Sequence, residues 1–160
     1  MKFYETTYDE YLSALNKCNL HPELEPIFKS LSKDLTSMPN MIFYGPSGSG
    51  KYTQVLNVIR KYSPSGLALP QGKRMNIQAE KYEYSYHISD IHYEIDMALL
   101  GCNSKLIWHD VIQQIVDIVA VKPDTHKTAI IVCKNFHMIH TELLDIFYSY
   151  IQEYNSKFSV

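Results

Sequence analysis

The stretch Met41-Ile42-Phe43-Tyr44-Gly45-Pro46-Ser47-Gly48-Ser49-Gly50-Lys51-Tyr52-Thr53 decides how the rest of this chain is read. A short apolar run leads into three glycines, a lysine follows the last of them, and Gln54-Val55-Leu56-Asn57-Val58-Ile59-Arg60 then carries a helical pattern. The order is strand, loop, helix. Glycines let the backbone turn its N–H groups inward and approach an anion without a Cβ in the way. The helix that follows presents unsatisfied N–H groups and the positive end of its dipole to the same point, and Lys51 adds a full charge. Gly45 and Gly50-Lys51 stand at G-x-x-x-x-G-K spacing, that of a Walker A phosphate loop, so the expected guest is a nucleotide phosphate.

One position departs from that pattern. Where Ser or Thr would ligate Mg²⁺, this chain has Tyr52, whose hydroxyl lies on the far side of a ring. Thr53 is next, but one step along a helix turns a side chain by about 100°, which makes it a poor substitute. With Pro46, Ser47, Gly48 and Ser49 completing the loop, residues 45–53 form the candidate nucleotide-binding set, and Thr53 is its one candidate metal ligand.

The remainder reads as scaffold. At 160 residues the chain is long enough for one domain with a substantial core and too short for two ordinary ones. A composition of 46% hydrophobic and 20% charged residues with formal net charge −2 predicts no general affinity for nucleic acid. No segment has the length of an apolar membrane span, and Met1-Lys2-Phe3-Tyr4-Glu5 does not read as a signal peptide. Cys18, Cys102 and Cys133 form no C-x-x-C pair, so neither a disulfide nor a zinc framework is expected, and an intracellular, reducing location follows as the expectation.

Residues 1–40 carry two helical patterns and are read as a segment packed on the core, which is expected over 41–160. From Thr7 to Lys17, Tyr8, Tyr11, Leu12 and Leu15 share one face. After Cys18-Asn19-Leu20-His21, Pro22 or Pro26 can open a second helix through Ile27, Phe28 and Leu31 towards Leu35. Beyond the loop helix, Pro70-Gln71-Gly72-Lys73 marks an exposed loop, and residues 75–96 alternate with period two, predicting strands broken at Ser89-Asp90. The tyrosines of these strands are read as core and face residues rather than as a base-stacking platform. Asn103-Ser104 can cap a helix over 105–120, ended by Lys122-Pro123-Asp124-Thr125. Thr128-Ala129-Ile130-Ile131-Val132-Cys133 reads as a central parallel strand. Leu143, Leu144, Phe147, Tyr148 and Ile151 mark a further helix, and Lys157-Phe158-Ser159-Val160 the opening of another strand.

This order of parts, with His92-Tyr93-Glu94-Ile95, the helix Asp110-Val111-Ile112-Gln113-Gln114-Ile115-Val116 and a helix ending Gln152-Glu153-Tyr154, resembles the AAA+ ATPase core of clamp loaders, specifically the small subunits of replication factor C. The resemblance covers about residues 40 to 160. It implies an α/β fold, a three-layer αβα phosphate-loop NTPase core with a parallel central sheet, stopping before the later strands and lid. It implies ATP held by Gly45, Gly48, Gly50 and Lys51, with other clamp-loader-like subunits, a sliding clamp and primer-template DNA as partners and no membrane. The Tyr, Lys, Asn and Ile bias would suit a large DNA virus, hence the nucleus or a cytoplasmic viral factory.

The second half of the family's machinery is not matched. There the apolar strand ends in acidic residues that hold Mg²⁺ and polarise water; here it runs into Cys133-Lys134-Asn135-Phe136-His137, so Lys134 and Asn135 are the degenerate counterparts of that acidic (Walker B) pair. Glu94 and Asp96, two apart on a predicted strand, are the alternative carboxylates and are read as a solvated strand face. Cys133, His137 and His140 fit no common zinc spacing and are read as turn and helix-start residues, and Trp108 and His109 as packing and surface. The expected function is an ATP-binding clamp-loader-type subunit with weak or absent hydrolysis. The alternatives are a small phosphate-loop nucleotide kinase, for which Arg60 and Arg74 are a thin supply of arginine, and a pseudo-ATPase interaction module.

Overall fold

The computed structural model describes residues 6–67, 73–79, 82–122, 128–154 and 158–159. The sequence expectations for the 70–73 loop and for the 123–125 helix stop fall wholly or mainly outside these residues. Helix α1 (Tyr8–Lys17) starts on a capping box, the Thr7 hydroxyl accepting from Glu10 N–H and the Glu10 carboxylate from Thr7 N–H. The second helical pattern breaks into short pieces: a 3₁₀ turn at Pro22–Leu24, α2 (Glu25–Ser30) and a 3₁₀ turn at Leu35–Ser37. Both prolines are used, each in the first turn of its own piece. The helix therefore stops well short of Leu35.

After α3 (Lys51–Arg60) come β1 (Lys73–Ala79), β2 (Tyr82–Ile88), β3 (His92–Asp96), α4 (Ser104–Val121), β4 (Ala129–Lys134), α5 (Thr141–Tyr154) and β5 (Phe158–Ser159). Among the described residues the strands make one sheet in the order β1-β2-β3-β4-β5. The expected parallel sheet is in fact mixed. β1 pairs with β2 and β2 with β3 antiparallel, and only β3–β4 and β4–β5 run parallel. The reason is connection length: β2 follows β1, and β3 follows β2, too closely for a crossover, whereas α4 provides one between β3 and β4.

Alternation along the parallel strands builds two cores, one on each face of the sheet. Tyr93, Ile95, Ala129 and Ile131 point to the face covered by α4 and α5, where Trp108, Val111, Ile112, Ile115, Leu143 and Phe147 are buried. Ile91 and Ile130 point to the other face, under α1 and α3, with Tyr8, Leu12, Leu56 and Ile59. Helices, sheet, helices is the three-layer αβα arrangement expected. Tyr84 and Tyr86 belong to the first core, as read. Asn103 stands at the N-cap of α4 but makes no side-chain capping bond, contrary to its expected role.

Met41–Tyr44, expected as the strand leading into the loop, is not a strand. Its residues alternate in burial as a strand's would, but Ile42 and Tyr44 are 95% and 96% exposed. A strand exists by pairing, and no strand among the described residues pairs with this segment.

Candidate nucleotide-binding site

The glycine-rich loop turns over residues 47–50 and opens directly into α3. Gly48 and Gly50 both take left-handed backbone conformations, with φ of 76° and 77°. Gly50 is the N-cap of α3 and its carbonyl accepts the first helical bond, from Gln54 N–H at 3.1 Å. Two left-handed glycines are what allow the chain to reverse into the helix while leaving the first N–H groups of α3 facing the loop. Gly45 is pressed for another reason: a Cβ there would stand 3.3 Å from Ser49 Oγ. The Lys51 ammonium turns back over the loop and donates to the carbonyls of Gly45 at 2.8 Å and Pro46 at 2.5 Å. Ser47 and Pro46 are exposed at its rim.

The loop does not stand alone. The linker between α1 and α2 lies against it, an arrangement that the sequence reading treated only as a connection. His21 Nε2 donates to the Ser49 carbonyl at 2.7 Å, while its Nδ1 faces the Glu23 carboxylate at 3.0 Å. Hydrogen bonds to Ser49 and Glu23 favour the doubly protonated ring and raise the His21 pKa. Asn19 accepts from Gln54 Nε2 at 2.9 Å, tying the linker to the first turn of α3, and Leu20 packs over Gly50. A histidine and an asparagine ahead of a proline carry no motif, so only tertiary contact identifies them.

Tyr52 points away from the loop, into the layer between α3 and the sheet. Its hydroxyl donates to Glu94 Oε1 at 2.6 Å and its ring meets Tyr11 edge-on. Glu94 is thus not on a solvated strand face, as the sequence reading had it. It is 4% exposed and lies beside the start of α3, because β3 alternates Tyr93 and Ile95 to one core and His92 and Glu94 to the other. Its second donor is His92 Nε2 at 3.1 Å. Ser89 Oγ accepts from the N–H groups of Ile91 and His92 and lies 2.5 Å from His92 Nδ1. Lys134 Nζ completes the group, 3.7 Å from Glu94 Oε2 and 4.5 Å above the Tyr52 ring. Burial alone would raise the Glu94 pKa; the hydrogen bonds from His92 and Tyr52 and the charge on Lys134 outweigh it and the pKa is lowered. Tyr8 closes the far side, its ring against His92, and burial together with the Glu94 charge raises its hydroxyl pKa.

Asp96 is also committed. It accepts from both Ala98 N–H and Asn135 Nδ2, the latter at 3.0 and 3.1 Å to its two oxygens. Asn135 itself adopts a left-handed conformation, φ 53°, at the end of β4. The degenerate pair is therefore split: Lys134 turns towards Tyr52 and Glu94, and Asn135 towards Asp96. Thr53 lies one residue further into α3, half-buried. Neither Tyr52 nor the end of β4 provides a Mg²⁺ ligand of the phosphate-loop kind, since the Tyr52 hydroxyl is bonded to a buried carboxylate and the strand end offers an ammonium. Cys133, His137 and His140 are not gathered either; among the described residues no group of three or more His, Cys, Asp or Glu could hold a metal ion. Trp108 is buried in the core, while His109 is exposed and paired with Tyr150.

A glycine loop opening a helix on one face of an α/β sheet layered by helices on both sides is consistent with the phosphate-loop αβα class. Within that class the chain is similar to subunits of replication factor C. It is 27% identical over 105 residues to replication factor C subunit 5 of Saccharomyces cerevisiae and 29% identical over 112 residues to the probable replication factor C subunit 3 of Dictyostelium discoideum. Each match covers 64% of this chain and 30% of the relative, so the chain spans less than a third of the length of these curated relatives. No family model matches it. The similarity supports the AAA+ clamp-loader relationship expected from the sequence, and no described helix is long and apolar enough to cross a membrane.

Proposed function

We propose that this chain is an ATP-binding subunit of clamp-loader type, which holds the nucleotide in residues 45–53 and works in an assembly with other such subunits, intracellularly, to help place a sliding clamp on primer-template DNA. The observation that carries the reading is the loop: two left-handed glycines, a ten-residue helix opening on Lys51, and an ammonium folded back over the turn. A phosphate entering there meets N–H groups, the positive end of α3 and Lys51 together, and the Gly45 and Pro46 carbonyls that hold Lys51 are weaker partners for a cation than phosphate oxygens. The similarity to replication factor C subunits supports the place of that loop in DNA replication.

Hydrolysis by the chain itself is proposed to be weak or absent. Phosphoryl transfer to water needs a metal anchor and a group that orients the water. Here β4 ends in Lys134, Asn135 follows it, and the Asn135 amide is already bonded to Asp96. ATP would then act as a ligand that stabilises the loop, with any chemistry supplied by neighbouring subunits.

Calorimetric titration of the purified chain with ATP, beside Lys51→Ala, tests the reading. Saturable binding that weakens at least tenfold in the variant is the expected result, about 1.4 kcal/mol for loss of a charge-assisted contact. A folded wild-type chain that takes up no ATP overturns it. Phosphate release by the isolated chain at ordinary ATPase rates, abolished by Lys51→Ala, would overturn the non-hydrolysing part alone.

A further inference from the structure

Lys134 is the one charged side chain of the Glu94 group that reaches the surface. Its side chain is 37% exposed, against 3% for Glu94. It stands at the end of β4, and its ammonium lies 4.5 Å from the centroid of the Tyr52 ring, in the first turn of α3. We propose that Lys134 supplies, from within the chain, the positive charge that a divalent metal supplies at other phosphate loops, so that ATP is bound as its metal-free anion.

This deepens the nucleotide-binding reading and rests on it. Three features of the chain point the same way. The residue that should ligate a metal, Tyr52, cannot turn to the loop without breaking a 2.6 Å hydrogen bond to Glu94 and leaving that carboxylate short of a donor in a buried layer. Both nearby carboxylates are engaged, Glu94 by Tyr52, His92 and Lys134, and Asp96 by Asn135 and Ala98 N–H. Lys134 is oriented rather than free: the Tyr52 ring and the Glu94 oxygen at 3.7 Å place the ammonium beside α3, while part of the side chain is open to solvent.

The consequence is a change in the sign of the metal effect. A triphosphate carries about four negative charges, of which Lys51, Lys134 and the helix N-terminus, worth about half a charge, can meet a part. A Mg²⁺ ion on the β and γ oxygens would bring two positive charges towards Lys134 and find neither Tyr52 nor a carboxylate at the end of β4 to compensate, so the metal complex is the poorer ligand.

The test is titration with ATP in EDTA and in millimolar Mg²⁺ for the wild type, Lys51→Ala, Lys134→Ala, Lys134→Arg and Lys134→Asp, each checked for folding by circular dichroism. The wild type is expected to bind in EDTA and to bind no more tightly with Mg²⁺. Lys134→Ala should weaken binding in EDTA about tenfold, and Lys134→Arg should restore most of it. Lys134→Asp should lose binding in EDTA and regain it in part when Mg²⁺ is added. Wild-type binding that requires Mg²⁺, or Lys134→Ala binding in EDTA equal to the wild type, overturns this inference while leaving the loop reading intact. No binding by the folded wild type in either condition overturns both.

Discussion

Replacing Tyr52 by Phe removes one oxygen and isolates the energetic role of the Glu94 group. The ring can keep its edge-on contact with Tyr11 and its place under Lys134, so packing is preserved. What is lost is a 2.6 Å hydrogen bond from a buried hydroxyl to a carboxylate that is 4% exposed. Hydrogen bonds to charged groups contribute about 1.5–3 kcal/mol, and Glu94 would keep only His92 and the longer contact to Lys134. The expected loss is about 2 kcal/mol, a fall in melting temperature of roughly 6 °C for a domain of this size. The deficit also has a pH dependence. The Glu94 pKa is lowered on folding from its usual 4.5, so its contribution is fully present above about pH 4.5 and fades as pH falls through the lower folded value. Tyr52→Phe removes part of that lowering, so the gap between variant and wild type should be widest at pH 7 and narrow on acidification. Thermal unfolding followed by circular dichroism, in steps from pH 7 down to the acid limit of the folded state, measures both. Equal melting temperatures at pH 7, or a deficit that never narrows down to that limit, would refute the account of Glu94 as an ionised, hydroxyl-supported group.

Two further outcomes follow from the layers around the loop. Leu56→Ala empties a side chain that is fully buried between α3 and the sheet, and should cost about 3 kcal/mol in a urea titration; a loss under 1 kcal/mol would mean that this face is not packed as described. His21→Asn should flatten the pH dependence of stability or ATP affinity above about pH 6.5, the ordinary value: the raised His21 pKa means both ring N–H groups serve Ser49 and Glu23 below it and one of the two bonds is lost as pH rises through the higher folded value, so an unchanged pH profile in the variant would remove His21 from the loop's support.

Much of this protein was legible from residue pattern. Period-two alternation located β2 and β3, the broad apolar stripe located α4, and the run of Ala129 to Cys133 located β4, because each of these elements buries a face whose periodicity is its own. The left-handed turns at Gly48 and Gly50 were legible for a different reason: they depend on backbone freedom, which those residues carry themselves.

What pattern could not decide was pairing. Met41–Tyr44 has a strand's sequence, but a strand needs a neighbour, and the mixed sheet leaves these residues unpaired among those described. Glu94 has the sequence of an exposed carboxylate between two aromatic and aliphatic core residues, yet both faces of β3 are covered, one by α4 and the other by α1 and α3, so its side chain is buried whichever way it alternates. Its partners Tyr52 and Lys134 lie 42 residues before it and 40 after it, and His21 meets Ser49 from 28 residues away. The chain by itself thus determined the turn of the loop and the long helices and strands with a periodicity of their own, since those follow from local freedom and periodicity. Only the tertiary structure decided which carboxylate is buried, which hydroxyl it holds and which lysine stands beside α3, because charges take their meaning from neighbours that the sheet brings together.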